Sequence, residues 1–418
     1  MSRNSEIKNP WPAESSKERG TKLILFLISP FISLLYSLKS MNTKSAFAVF
    51  FGFAVCFGMA FSTEAYDRLS MAASGIDAGR YRLEFEQSSN MTTSQFFNTW
   101  NEFISFDEGS KDFYYIAMVY LVSRFTHNYH WLFMAFAIVF AFFQLKSLKL
   151  LVEQKNWENG LFFVLLALFF TWNQIFNINA MRFYTAAWIG VYAVLQIFQY
   201  KRWSYFLLLL LAPFVHSSFW LFFVVWVLAF LLKGLEWFWI VIFVISFFSS
   251  TFLADLLGMT VDYLPEFLAS TVRGYTEEER LFSETAYSGT GFWWVPMVFD
   301  YAYKIFTNLL VVLFIFNRKL IKDNNTRNLY LFIIIFMTYI NFAMPIPALG
   351  RRSIVMAYPI IAYIWLANFG KTKYKWLIYA FPFVWAWQIM TYVGFYFSVL
   401  DWTFFVSSPF VMVFKYLI

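Results

Sequence analysis

The chain has 418 residues, 60% of them hydrophobic and only 14% charged, with a mean hydropathy of +0.56. A typical globular domain carries about a quarter charged residues, so the polar surface here is too small to coat a water-facing sphere, and most soluble classes are excluded. The net charge of +7 would suggest a nucleic-acid partner in a soluble chain. Here the basic residues sit in short loops between apolar runs, as the positive-inside rule expects, and no nucleic-acid partner is implied.

The first 22 residues are polar and mixed in charge, and lack the short apolar core and small-residue exit of a cleavable signal. Apolar stretches then follow at 23–38, 45–62, 131–145, 161–172, 180–198, 204–215, 217–232, 237–253, 292–316, 329–344, 354–369 and 376–397. The second holds Cys56, the only cysteine, which excludes a disulfide framework and a cysteine-based zinc site. Weaker stretches at 113–122 and 402–414 read as partial or interfacial. Several runs fall short of the ~20 residues that a straight spanning helix needs. That predicts broken or re-entrant helices around a protein-lined or wet cavity. The expected fold is an all-α, polytopic membrane protein of about 11–14 transmembrane or re-entrant helices. It forms a single domain over 1–418, with outer loops near 64–112 and 254–291.

Lysines and arginines mark the cytoplasmic turns: Lys39/Lys44, Lys146/Lys149/Lys155, Lys201/Arg202, Lys233, Arg318/Lys319/Lys322/Arg327 and Lys371/Lys373/Lys375. The opposite face receives the two long acidic loops and three short turns at 173–182, 213–218 and 345–352. If 23–38 and 113–122 both span, the first loop moves inside. Its nine acids against Arg68, Arg80, Arg82 and Lys111 favour the outside.

The chemically interesting residues gather at those outer turns. His216, in APFVHSSFW, sits within 29 residues, 204–232, that hold no formal charge, and Pro213 just before it makes a hairpin apex or a kink. An ionisable group at membrane depth is usually functional. A neutral imidazole there can act as general base toward a hydroxyl, or else be satisfied by Ser217 or a backbone carbonyl. Arg182, in FNINAMRF, opens a run free of charge until Lys201, and Asn173, Asn177 and Asn179 precede it. Its guanidinium must snorkel outward or meet an anion, and its fork suits phosphate oxygens. Arg351 and Arg352 form a second cationic pair, on the face where the charge rule disfavours them, which an anionic ligand or anionic lipid headgroups would explain.

The first outer loop offers Asp77, Arg80, Tyr81, Arg82, Glu84 and Glu86. The Glu84-x-Glu86 spacing is a weak signal for a divalent cation, and no metal is expected. Glu277–Glu279 reads as a solvated face, and Asp300 with Lys304, one helical turn apart, as a structural ion pair. His127 and His130, at a helix boundary, read as solvated or interfacial. Arginines beside one histidine, with aromatic faces for sugar rings and lipid tails, suit a lipid-linked diphosphate sugar.

Four features in order resemble the Wzy/EpsG-like polysaccharide polymerases: Gly75-x-Asp77-x-x-x-Tyr81, Asn179-x-x-Arg182 opening a helix, the His216-Ser217 apex, and Arg352 followed by Tyr358-Pro359. The likeness runs over roughly 45–369. It departs from the family where Phe183, rather than Gln, follows Arg182, and where an arginine before the Gly75 loop is absent unless Arg68 serves. The resemblance implies a metal-independent, membrane-embedded glycosyltransferase of GT-C-like architecture in the bacterial inner (plasma) membrane. It would polymerise O-antigen, capsule or exopolysaccharide from undecaprenyl-diphosphate-linked oligosaccharide, without a cofactor, among membrane lipid and with a chain-length regulator protein as partner. Carried onto this sequence, Arg182, Arg351 and Arg352 hold diphosphate and His216 activates the acceptor hydroxyl. Asp77 orients a sugar or replaces His216 as base, and Arg80, Tyr81, Asn179 and Tyr358 contribute to substrate binding. An O-antigen ligase, a membrane O-acyltransferase and a lipid-linked glycan flippase are the alternatives.

Overall fold

The computed structural model describes residues 14–63, 77–88, 90–105, 113–153, 173–232, 234–248, 294–344, 347–370, 372–374 and 399–418, with single positions and short pieces between 256 and 273 and at 397. The apolar stretch 161–172, all but the last residue of 376–397, the Gly75 turn, Glu277–Glu279, and the side chains of Asp300 and Arg351 lie outside the described residues.

Among the described residues the chain is helical, with no strand. The α-helices are α1 (Ser16–Ile28), α2 (Pro30–Ser37), α3 (Lys44–Ala60), α4 (Asp77–Ser88), α5 (Thr93–Ile104), α6 (Tyr114–Ser123), α7 (Tyr129–Val152) and α8 (Met181–Val194). They continue with α9 (Phe206–Val215), α10 (Phe219–Leu231), α11 (Glu236–Ile245), α12 (Trp294–Phe316), α13 (Asn324–Ala343), α14 (Pro347–Asn368) and α15 (Pro409–Tyr416). Local chemistry sets several of their starts. The side chains of Thr43, Asn128, Asp323 and Ser408 accept from the first-turn N–H groups of α3, α7, α13 and α15, replacing partners that a helix end lacks.

Among the described residues two helices, α7 and α13, are long and apolar enough to cross a bilayer. The shorter apolar helices include α3, α6, α10 and α11. The 23–38 stretch, too short for a straight span, is divided at Ser29–Pro30. Ser29 is extended and its hydroxyl caps Ile32 N–H, while Pro30 starts α2, because proline's fixed φ and missing N–H suit the first helical position. The two short helices fold back on each other, with the Ser33 hydroxyl donating to the Lys22 carbonyl at 2.7 Å.

The outward faces are apolar. Trp237, Phe238, Val241 and Val244 on α11, and Leu207 and Leu211 on α9, are all at least half exposed. Contiguous apolar surface of this kind is rare on soluble monomers, and it is compatible with a membrane protein.

The core is built around α8. Apart from Arg182 and Tyr184 its residues are buried, and it packs against α7, α9 and α14. Helix α13 in turn lies against α10, α11 and α14. Trp188, Trp226 and Trp365 are among the largest fully buried side chains. Helix α3 approaches α7 closely. A Cβ on Gly58 would stand 2.5 Å from the Ala137 Cβ and 2.7 Å from the Phe133 carbonyl oxygen, so only glycine fits. This packing brings the amino ends of α4, α8, α10 and α14 to one end of the bundle.

Candidate active site

The approach to α8 is a 3₁₀ turn, Ile175–Ala180, held by amides. Asn173 is buried, and its carbonyl accepts from Gln144 Nε2 at 3.1 Å and from Trp188 Nε1 at 3.0 Å. Its own amide donates to the Tyr184 carbonyl at 3.1 Å. Asn177 donates to the Asn173 side chain at 3.2 Å. These two asparagines therefore stitch α7 to α8 and serve the scaffold. Asn179 does something else. Its side-chain oxygen accepts from the Ala78 N–H at 3.3 Å, tying the start of α4 to the start of α8.

Helix α4 then delivers Tyr81. It is 1% exposed, and its hydroxyl accepts from Arg182 Nε at 3.0 Å. Tyr115, on α6, donates its hydroxyl to the Tyr81 carbonyl at 2.9 Å. Burial pushes the Tyr81 phenol up to about 12, so it stays a neutral hydroxyl that orients the guanidinium without neutralising it. We expect Tyr81→Phe to lower activity about tenfold, since a hydrogen bond to a charged group contributes about 1.5–3 kcal/mol. A turnover assay beside Arg182→Lys checks this, because the two changes should not add.

Asp77 and Arg80 share the outer side of α4 at 3.2 Å, and Arg80 also pairs with Glu84 at 3.6 Å. Arg82 pairs with Glu86 at 2.9 Å and stands over the Tyr129 ring at 4.5 Å. Glu84 and Glu86 thus take separate arginine partners. Two residues apart on a helix, they do not face one another.

His216 stands in the turn between α9 and α10. Pro213 does not end α9, which runs two residues further to Val215. The chain turns at 216–218, where His216 is extended (φ −154°, ψ 123°). Its Nδ1 lies 2.8 Å from Ser218 Oγ and 3.3 Å from the Ser218 backbone N–H. Phe183 meets the ring edge-on, with centroids 5.4 Å apart at 86°. The Arg352 guanidinium lies 5.9 Å from the centroid of that same phenyl ring. Burial, and then the charges of Arg182 and Arg352, hold the imidazole well below the usual histidine range, so it is neutral at physiological pH.

Residues from four separate stretches therefore meet here: Asp77 and Tyr81, Arg182, His216, and Arg352. Tyr358 is not among the accessible ones. It is fully buried within α14, with its hydroxyl 3.0 Å from Thr307 Oγ1. Arg351 adjoins Arg352 on the α14 backbone. Sequence reasoning missed Phe183 as the surface between His216 and Arg352, Ser218 as the imidazole's partner, and Asn179 as a helix cap. The available signal for Phe183 was its place beside Arg182, where the family pattern expects a different residue. His127 is exposed, and His130 stacks on Tyr129 with centroids 4.2 Å apart.

Chemically, two guanidiniums near a neutral imidazole are an arrangement that can hold an anion. The positive ends of α8 and α10 add to the two guanidiniums, and charge developing on a departing phosphate would be stabilised there. Neither the curated proteins nor the solved structures include a match to the chain. A family model does match, over residues 68–408, a segment that contains every residue of the cluster. The chain belongs to the EpsG family.

Proposed function

We propose that the chain is a polysaccharide polymerase, embedded in the bacterial plasma membrane as a polytopic, GT-C-like helical protein of about 11–14 spanning or re-entrant segments. It moves a growing glycan from undecaprenyl diphosphate onto the terminal sugar of a lipid-linked repeat unit at the outer face. Membership of the EpsG family is consistent with such a role. One observation carries the reaction type: His216 and Arg352, from stretches far apart in sequence, both pack on Phe183, and the neighbouring Arg182 is held by Tyr81.

In this reading the acceptor hydroxyl attacks the anomeric carbon of the donor glycan. The bond from that carbon to the diphosphate breaks, its electron pair passing to phosphate oxygen, and the guanidiniums stabilise the charge that appears. Arg351 adds a third cation, and Arg80 and Asp77 contact sugar at the mouth. The acceptor's proton leaves to a group of the cluster, for which His216 and Asp77 are the candidates.

The test is direct. Purified protein in liposomes, given only lipid-linked repeat units, should build a ladder of longer products, and the ladder should survive EDTA. Transfer to a lipid A-core acceptor without a ladder would make it a ligase instead. Acylation at unchanged glycan length, or movement between leaflets without new glycosidic bonds, would also overturn the proposal.

A further inference from the structure

Two hydrogen-bond partners at one ring nitrogen decide what the other nitrogen can do. The Ser218 backbone N–H points at His216 Nδ1 from 3.3 Å, and Ser218 Oγ lies 2.8 Å from the same atom. A backbone N–H can only donate, so Nδ1 is an acceptor here and carries no hydrogen. A ring turned over would put a C–H against that N–H and against the hydroxyl, too close for either. A neutral imidazole with a bare Nδ1 has its proton on Nε2.

Resting on the polymerase reading, we propose that His216 presents Nε2–H to the leaving diphosphate as a hydrogen-bond donor and does not take the acceptor's proton. The ring would join Arg182 and Arg352 in one donor set aimed at the same anion. No proton leaves Nε2: the ring only hydrogen-bonds the oxygen that receives the electron pair from the broken glycosyl bond. A base role would require a vacancy at Nε2, and therefore a hydrogen on Nδ1 driven against the Ser218 N–H. It would also create a further cation beside the guanidiniums of Arg182 and Arg352. Removal of the acceptor proton then falls to Asp77, the carboxylate of this cluster.

Glutamine separates the two roles, because its terminal amide can place an N–H near the Nε2 position but cannot act as a base at neutral pH. In the liposome assay we expect His216→Gln to stay within about tenfold of wild type, while His216→Ala and His216→Asn fall at least about a hundredfold. A His216→Gln protein that inserts normally and is as inactive as His216→Ala would overturn the proposal. A second measurement needs no substrate. Nitrogen-15 spectra of histidine-labelled full-length protein, assigned by the signal lost in His216→Ala, should show the proton on Nε2 and a hydrogen-bonded, unprotonated Nδ1. A proton on Nδ1 would overturn the assignment whatever the protein polymerises, whereas a missing ladder with the Nε2–H form present would count against the polymerase reading alone.

Discussion

Arg182→Ala should abolish polymer while the protein still inserts in the membrane. Arg182 stands in the first turn of α8, its Nε held by Tyr81 and its charge felt at His216. Removing one preorganised donor to a developing oxyanion costs about 2.7–4 kcal/mol, or about 10²–10³ in rate. Arg182→Lys keeps the charge but loses the planar fork and the geometry that meets the Tyr81 hydroxyl, so it should recover only part of the activity. Ladder length per unit of inserted protein is the measurement. A full ladder from Arg182→Ala would remove the guanidinium from the chemistry and leave it as a strut between α4 and α8.

Gly350→Ala is expected to have a comparable effect from outside the cluster. A Cβ at this position would stand 2.5 Å from the Ala343 carbonyl oxygen and 2.5 Å from the Met344 Cα. Both obstacles are backbone, so no side chain can rotate away, and the start of α14 must shift from the end of α13. Overpacking of this kind costs about 1–3 kcal/mol, and Arg352, two residues on, moves with the helix. Misplacing a catalytic group by about 1 Å can cost about a hundredfold. We therefore expect a lower melting temperature together with at least a tenfold loss of polymer. Gly20→Ala is the control, since a Cβ there meets nothing within 4 Å. Unchanged melting and polymer in Gly350→Ala would mean that the α13–α14 junction tolerates the displacement.

Much of the helical framework is legible without coordinates, because apolar runs and capping residues are local signals. The helix boundaries beside His127 and His130 and at Asn179–Arg182 fall where the sequence places them. The run 23–38 is too short for a straight span, and it breaks at Pro30, a residue visible in the sequence whose effect an average over a window conceals. At the other proline the chemistry worked the opposite way: Pro213 sits inside α9, and the turn waits for 216–218. Asn173, Asn177 and Asn179 look alike in sequence. Which of them binds scaffold and which caps α4 depends on contacts with residues as distant as Gln144 and Ala78.

The amino-acid sequence alone determined the all-helical, apolar class, the isolation of His216 and Arg182 among uncharged neighbours, and the placement of a second arginine pair near the carboxyl end. These follow from hydropathy and charge, which are properties of each residue and its near neighbours. Only the tertiary structure decided that Phe183 lies between His216 and Arg352, that Tyr81 is spent on orienting Arg182, that Tyr358 is buried against Thr307, and that Ser218 occupies Nδ1. The reason is physical. A hydrogen bond depends on angles and on tenths of an ångström between atoms that the chain brings together from far apart, and packing of α4, α8, α10 and α14 supplies those distances.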